Sequence, residues 1–180
     1  MGNFEGNGNT ENFEMFTQYG NAVWLAQKFE KGLAAFLQGE FAFENKGKLP
    51  YEKYHEEISK LYKSNLGELL RKLKKQTSVD SDIEELLQKA LKRRNYLVHD
   101  YFYHNESKAT VPDGRLSIVQ ELIEDQATFL KAIMWVDQRC KEGLLKIGVD
   151  AAKFAEIVEK NRLAEVAKFR NGVPIELLTK

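Results

Sequence analysis

The sequence predicts an all-α protein: an antiparallel helical bundle of four main helices with a further helix added at the C-terminus. Three observations predict it. Leu, Lys, Glu and Ala abound, while only three prolines occur in 180 residues. Apolar residues recur at spacings of three and four along several long stretches. Polar, Gly- and Pro-containing segments interrupt those stretches and define the ends of the helices.

The first dozen residues, rich in Gly and Asn, are expected to be a disordered extension, with the bundle occupying 11–147. A long first helix is predicted from about Glu11 to Phe43, with Phe16, Tyr19, Val23, Ala26, Leu33 and Leu37 as its apolar stripe. Trp24, Trp135 and the phenylalanines lie at helical spacing and read as core. Asn45 to Pro50 breaks the helix. A second helical region spans Tyr51 to Lys75 and is expected to bend or split near Ser64. Gln76 to Val79 form a loop. Ser81-Asp82-Ile83-Glu84 has the capping-box pattern, so the next helix starts there and runs to about Tyr103. His104 to Gly114 reads as a polar loop ending in a Pro112-Asp113-Gly114 turn. A very long helix, about Leu116 to Ile147, carries Leu122, Phe129, Ile133, Val136, Cys140 and Leu144 on one side. Gly148 ends it, Asp150 caps a last helix to about Arg170, and Gly172 and Pro174 close that one. Residues 148–180 thus form a C-terminal appendage, packed along the far end of the long helix or against a second subunit.

Composition removes several function classes. Hydrophobic residues make up 43% of the chain, enough for one self-sufficient core. Lys plus Arg equals Asp plus Glu at 27 each, so any nucleic-acid or membrane site must be a local patch. Cys140 stands alone, which excludes an intrachain disulfide and fits a reducing cytoplasm. With three histidines and one cysteine, no metal site and no cofactor is expected. No apolar run approaches the roughly 20 residues of a membrane span, and no signal peptide opens the chain.

The chemistry concentrates in Arg93-Arg94-Asn95-Tyr96-Leu97-Val98-His99-Asp100-Tyr101-Phe102. On a helical wheel Ile83, Leu87, Ala90, Leu97, Val98 and Tyr101 share one stripe, and Arg94 falls in its middle. A guanidinium there is costly unless it is paired or opens on a cleft. Arg93 points to the flank and Lys92 to the opposite side, as solvated residues do. Asn95 and His99 stack at i,i+4, while His99 lies about 140° around the helix from Arg94. A site using both is easier to build where two helices meet, as at a two-fold axis.

Arg94-Asn95-x-x-x-His99 resembles the R-x4-6-H motif of the HEPN superfamily of small helical bundles, many of them metal-independent ribonucleases. With Tyr101 the match extends to the R-x4-H-x-Y form of HEPN toxins paired with nucleotidyltransferase antitoxins, in which the partner can adenylylate the tyrosine. The resemblance covers about Leu91 to Phe102; the helical layout is compatible, and the tail after Gly148 lies outside the minimal family unit. It implies an RNA substrate, a homodimer with the site at its interface, and catalytic roles for Arg94, Asn95 and His99. His99 would act as base or acid, Arg94 would hold the scissile phosphate, and Asn95 would orient either. Lys92, Arg93 and Tyr101 would contribute to binding.

Plainer roles stand beside these. Glu30 also falls on the apolar stripe of its helix, so an inward Glu30 can meet Arg94 across the bundle as a structural ion pair. Tyr101 sits on the core stripe, where packing is the default role. His99-Asp100 has the look of a metal-binding pair but lacks further ligands. Between Lys60 and Arg94 ten basic residues face five acids; Arg71 to Lys75 can track a phosphate backbone or be the solvated end of a helix. Three functions are therefore in competition: an endoribonuclease, a non-catalytic interaction or nucleotide-binding module with Arg94 locked by Glu30, and a helical partner protein. The last predicts an exposed apolar stripe on the long helix.

Overall fold

A computed structural model describes residues 7–146 and 148–172. Its elements are α1 (Asn7–Glu44), α2 (Tyr51–Lys63), α3 (Leu66–Gln76), α4 (Ser81–His99), α5 (Tyr101–Ala109), α6 (Pro112–Lys146) and α7 (Ala151–Gly172). No strand occurs among the described residues, so the predicted all-α class is the class found. The chain divides into two compact units, Met1–Arg139 and Cys140–Lys180. The division falls inside α6, ahead of the Gly148 break where the sequence places it.

In the first unit α1 is the central element. It begins at Asn7, so residues 7–10 are helical and not a disordered extension; residues 1–6 lie outside the described residues. Its buried face is Ala22, Leu25, Ala26, Phe29, Leu33, Ala34, Phe36 and Leu37, against α2, α3 and α4. This stripe keeps Ala26, Leu33 and Leu37 of the predicted one and departs from it towards the N-terminal end of α1. Met15 is buried where Phe16 was expected, and Trp24 is 60% exposed and not part of the core. Leu66, Leu69, Leu70 and Leu73 of α3, Leu87, Ala90 and Leu97 of α4, and Ile118, Leu122, Phe129 and Val136 of α6 complete the interior. Each buried Leu, Ile, Val or Phe side chain contributes about 1.5–3 kcal/mol by leaving water.

The expected split near Ser64 is present. The Ser64 N–H donates to the carbonyls of Lys60 and Leu61, ending α2. Asn65 then opens α3 with a reciprocal capping box: its Oδ1 accepts from the Glu68 N–H at 3.0 Å, and its own N–H donates to Glu68 Oε2 at 3.3 Å. The box predicted at Ser81 does not form. Asp80 is the N-cap, Ser81 is already helical, and the Glu84 carboxylate pairs with Lys74 of α3 instead. That pair, with Leu73 buried between Lys72 and Lys74, makes the Arg71–Lys75 run the polar side of an amphipathic helix.

The segment after His99 departs most from expectation. The helix breaks at Asp100 (φ −126°, ψ −11°) and resumes as α5 through Ala109, where a polar loop was predicted. No backbone bond is wasted at the break: Asp100 N–H reaches the Tyr96 carbonyl at 2.9 Å, and the Asp100 carbonyl accepts from His104 N–H at 3.0 Å. Tyr101 and Asn105 turn inward and are both buried. Asn105 Nδ2 donates to the Tyr101 carbonyl and the Tyr96 hydroxyl, each at 2.9 Å. These bonds offset its burial and allow a polar sequence to form a packed helix. Pro112 starts α6, where its missing N–H costs nothing. The predicted Pro112–Gly114 turn is therefore the first turn of α6. There Gly114 lies directly on the Lys108 backbone, which a Cβ would overlap. Gly114→Ala is expected to destabilise the fold by at least about 1–3 kcal/mol, read as a lower urea midpoint.

In the second unit the C-terminal end of α6 closes as predicted. Gly148 has φ 74°, its N–H bonds to the Leu145 carbonyl, and Val149 N–H bonds to that of Leu144. Asp150 Oδ1 accepts from the N–H groups of Ala152 (2.8 Å) and Lys153 (3.4 Å), capping α7. That helix reaches Gly172, slightly past the predicted Arg170; Ile147 and Pro174 lie outside the described residues.

Candidate functional site

The site is built on α4, whose two adjacent arginines go opposite ways. Arg94 turns towards α1. Its Nη2 lies 3.1 Å from Glu30 Oε2, with the two side chains 23% and 17% exposed. The ion pair anticipated from the helical wheel is thus present. It is a contact of charges more than a directed bond, because Glu30 Oε2 is buried with no hydrogen-bond partner. Arg94 Nη1 donates to Asn95 Oδ1 at 3.2 Å. The guanidinium is held from two sides and has N–H donors left for a ligand.

Asn95 and His99 lie one turn apart on the outward face of α4 and are both exposed, as is Lys92 on the same face. His99 is the last residue of the helix. Beside it Val98 and Phe102 are exposed, and the Phe102 ring stands 5.9 Å from that of Phe16.

Arg93 differs from expectation. Its side chain is not solvated but faces α6, where Nε donates to Asp125 Oδ1 at 2.5 Å and Nη2 to Asp125 Oδ2 at 2.7 Å and Glu121 Oε1 at 2.6 Å. The guanidinium also sits 4.7 Å from the Tyr96 ring centre. Its Nε and Nη2 donors serve the fold. Burial disfavours the cation, but the bonds to Asp125 and Glu121 outweigh it and raise the Arg93 pKa. Asp125, only 4% exposed, is raised by burial in spite of Arg93. Neither shift contradicts the other: Arg93 stays charged throughout the range in which carboxylates titrate.

Tyr101 is set apart from Arg94 and His99. It is 2% exposed, follows the Asp100 break, and its hydroxyl lies 3.5 Å from the Ile118 carbonyl. Burial first, then the charges of Glu121 and Asp125, raise its pKa and keep the phenol protonated.

One feature near Arg94 escaped the sequence reading. A groove of about 470 Å³ opens over the Glu30–Arg94 pair, bounded by Trp24, Gln27, Lys28 and Lys31 of α1. The signal was present: these four residues sit at i, i+3, i+4 and i+7, one helix face that mixes an indole with two cations.

Among the described residues no group of three or more His, Cys, Asp or Glu could hold a metal ion, and no helix is long and apolar enough to cross a membrane. No protein-family model, no curated protein and no solved structure matches the chain.

Proposed function

We propose that the chain is a HEPN-like, RNA-directed protein and acts as a metal-independent endoribonuclease with a site completed by a second copy. One observation carries the reading: Arg94 and Asn95 are hydrogen-bonded to each other, with His99 exposed one turn beyond Asn95. Cleavage of RNA without metal needs a base at the 2′-hydroxyl, an acid at the departing 5′-oxygen, and a cation at the phosphorus centre. His99 removes the 2′-hydroxyl proton, the 2′-oxygen attacks phosphorus, and the P–O5′ bond breaks to leave a 2′,3′-cyclic phosphate. Arg94 neutralises the charge that builds on the non-bridging oxygens. One imidazole cannot be base and acid at once, so the second copy supplies the proton donor. The exposed Val98, Phe102 and Phe16 offer such a copy an apolar surface. Glu30 positions the guanidinium. The reading includes a toxin or defence role in the cytoplasm, with a nucleotidyltransferase-type antitoxin as controlling partner. Tyr101 is buried, so its modification by such a partner requires the α4–α5 segment to open first.

The test is incubation of the protein with mixed cellular RNA in EDTA across a range of protein concentrations. Cleavage per chain that rises as dimer forms is expected. Absence of cleavage at concentrations where light scattering shows dimer overturns the reading.

A specific observation favours a second reading, a helical partner protein whose long helix is the recognition surface. The solvent face of α6 carries Leu116, Gln120, Ile123, Ala127, Leu130 and Met134 at alternating spacings of four and three. Leu116, Ile123, Leu130 and Met134 are 46–69% exposed. That is the seam a partner helix takes. It is self-complementary: with two copies antiparallel about the Ala127–Thr128 peptide, Glu124 of each helix faces Lys131 of the other. Ile123→Glu combined with Leu130→Glu is expected to shift a dimer to monomer by light scattering if this seam is the contact. An unchanged mass assigns the dimer to another face.

A further inference from the structure

We infer that the groove over Arg94 is a subsite for a single-stranded RNA segment, with a base stacked on Trp24 and its phosphates held by Lys31 and Arg94. The inference rests on the RNA-directed reading above and adds residues that reading does not use. Trp24 is the starting point. Tryptophan is a costly residue to leave in water, yet this indole is 60% exposed. It forms one wall of the groove that contains Lys28, Lys31, Glu30 and Arg94. Three cations face one carboxylate there, in a chain whose overall charge is zero. The carboxylate is spent on Arg94, from which its Oε2 lies 3.1 Å away. An anionic ligand is therefore favoured by the groove's own charge.

The indole narrows the class of anion. Lys28 Nζ lies over the Trp24 ring, 5.6 Å from its centre, which steadies the ring and brings a cation to it. A flat ring beside cations is the arrangement that holds successive nucleotides of a single strand: bases stack on the ring and phosphates meet the cations. Duplex RNA hides its base faces and cannot use the indole in this way. Because Arg94 both floors the groove and bonds Asn95, a strand seated on Trp24 also meets the residue proposed to hold the scissile phosphate.

The experiment uses the full chain and a fluorescently labelled 2′-O-methyl oligoribonucleotide of about ten residues, which cannot be cleaved at its blocked 2′-oxygens. Affinity is read by anisotropy across a salt series for the wild type, Trp24→Ala and Lys31→Ala. Trp24→Ala is expected to weaken binding about 5- to 100-fold, and Lys31→Ala to lower the salt slope by about one. Both residues point to solvent, so circular dichroism is expected to be unchanged. Binding of the strand with full affinity by Trp24→Ala overturns the subsite while the RNA-directed reading stands. No binding by the wild type overturns that reading and the subsite with it. Equal affinity for a free nucleoside monophosphate overturns the strand as ligand. A change of oligomeric mass in Trp24→Ala, with RNA affinity unaltered, makes the groove a protein contact and also overturns it.

Discussion

Arg93→Ala is expected to lower stability by about 3–5 kcal/mol, because it strands a buried carboxylate. Asp125 is 4% exposed and receives two of the Arg93 hydrogen bonds, while the third goes to Glu121. Glu121 reaches water more readily, so the loss is carried mainly by Asp125. The dependence on pH follows from the raised Asp125 pKa, caused first by burial. A carboxyl whose folded pKa lies above its unfolded value contributes stability that is full below the unfolded pKa. That contribution is lost as pH rises through the folded pKa. Removing Arg93 removes an influence that lowers the folded value and so raises it further. The penalty of Arg93→Ala should therefore be small in acid and grow as pH rises through the carboxylate range towards neutrality. Adding Asp125→Asn should restore part of the loss at neutral pH. Urea unfolding at several pH values measures both effects. A loss that is uniform across pH, or below about 1 kcal/mol at neutrality, would mean that the cluster is solvated and contributes as a surface pair.

His99→Ala is expected to lower RNA cleavage by about 10²–10⁴-fold, the range for removal of a positioned acid or base. Stability should change little, within about 0.5 kcal/mol, because the imidazole is exposed. Arg94 behaves differently. Arg94→Lys keeps the charge but loses the planar fork, so cleavage should fall while the pairing with Glu30 is retained in part. Arg94→Ala should lose cleavage and also some stability, because Glu30 is then left 17% exposed without its cation. A Glu30→Gln partner substitution in that background should recover stability and not cleavage. This split separates a structural pair from a catalytic arginine.

Much of the fold was legible because it is local. The α2–α3 split follows from Asn65 and Glu68, which satisfy each other's backbone within one turn. The Gly148 and Asp150 boundaries are equally local. The Glu30–Arg94 pair could be read from two helical wheels, since a charge in the middle of an apolar stripe needs an opposite one. The same argument applied to Asp125, which lies between Leu122 and Phe129 on the buried side of α6, would have led to Arg93. A wheel places Arg93 on a flank but cannot say that the flank faces α6. The break at Asp100 was hidden for another reason. It uses neither Gly nor Pro, and its driving force is the burial of Tyr101 and Asn105, a tertiary effect. Trp24 was misplaced because hydrophobicity alone assigned it to the core, while the true stripe of α1 runs through Ala22, Leu25 and Phe29.

The central claim is that Arg94, Asn95 and His99 form a site that acts on RNA. It is tested most directly by single-turnover cleavage of RNA in EDTA with wild type, Arg94→Ala and His99→Ala side by side, each shown to be folded. Cleavage by the wild type and its loss in both variants are expected. Cleavage that persists unchanged in the variants, or a dimeric wild type that leaves RNA intact, would contradict it.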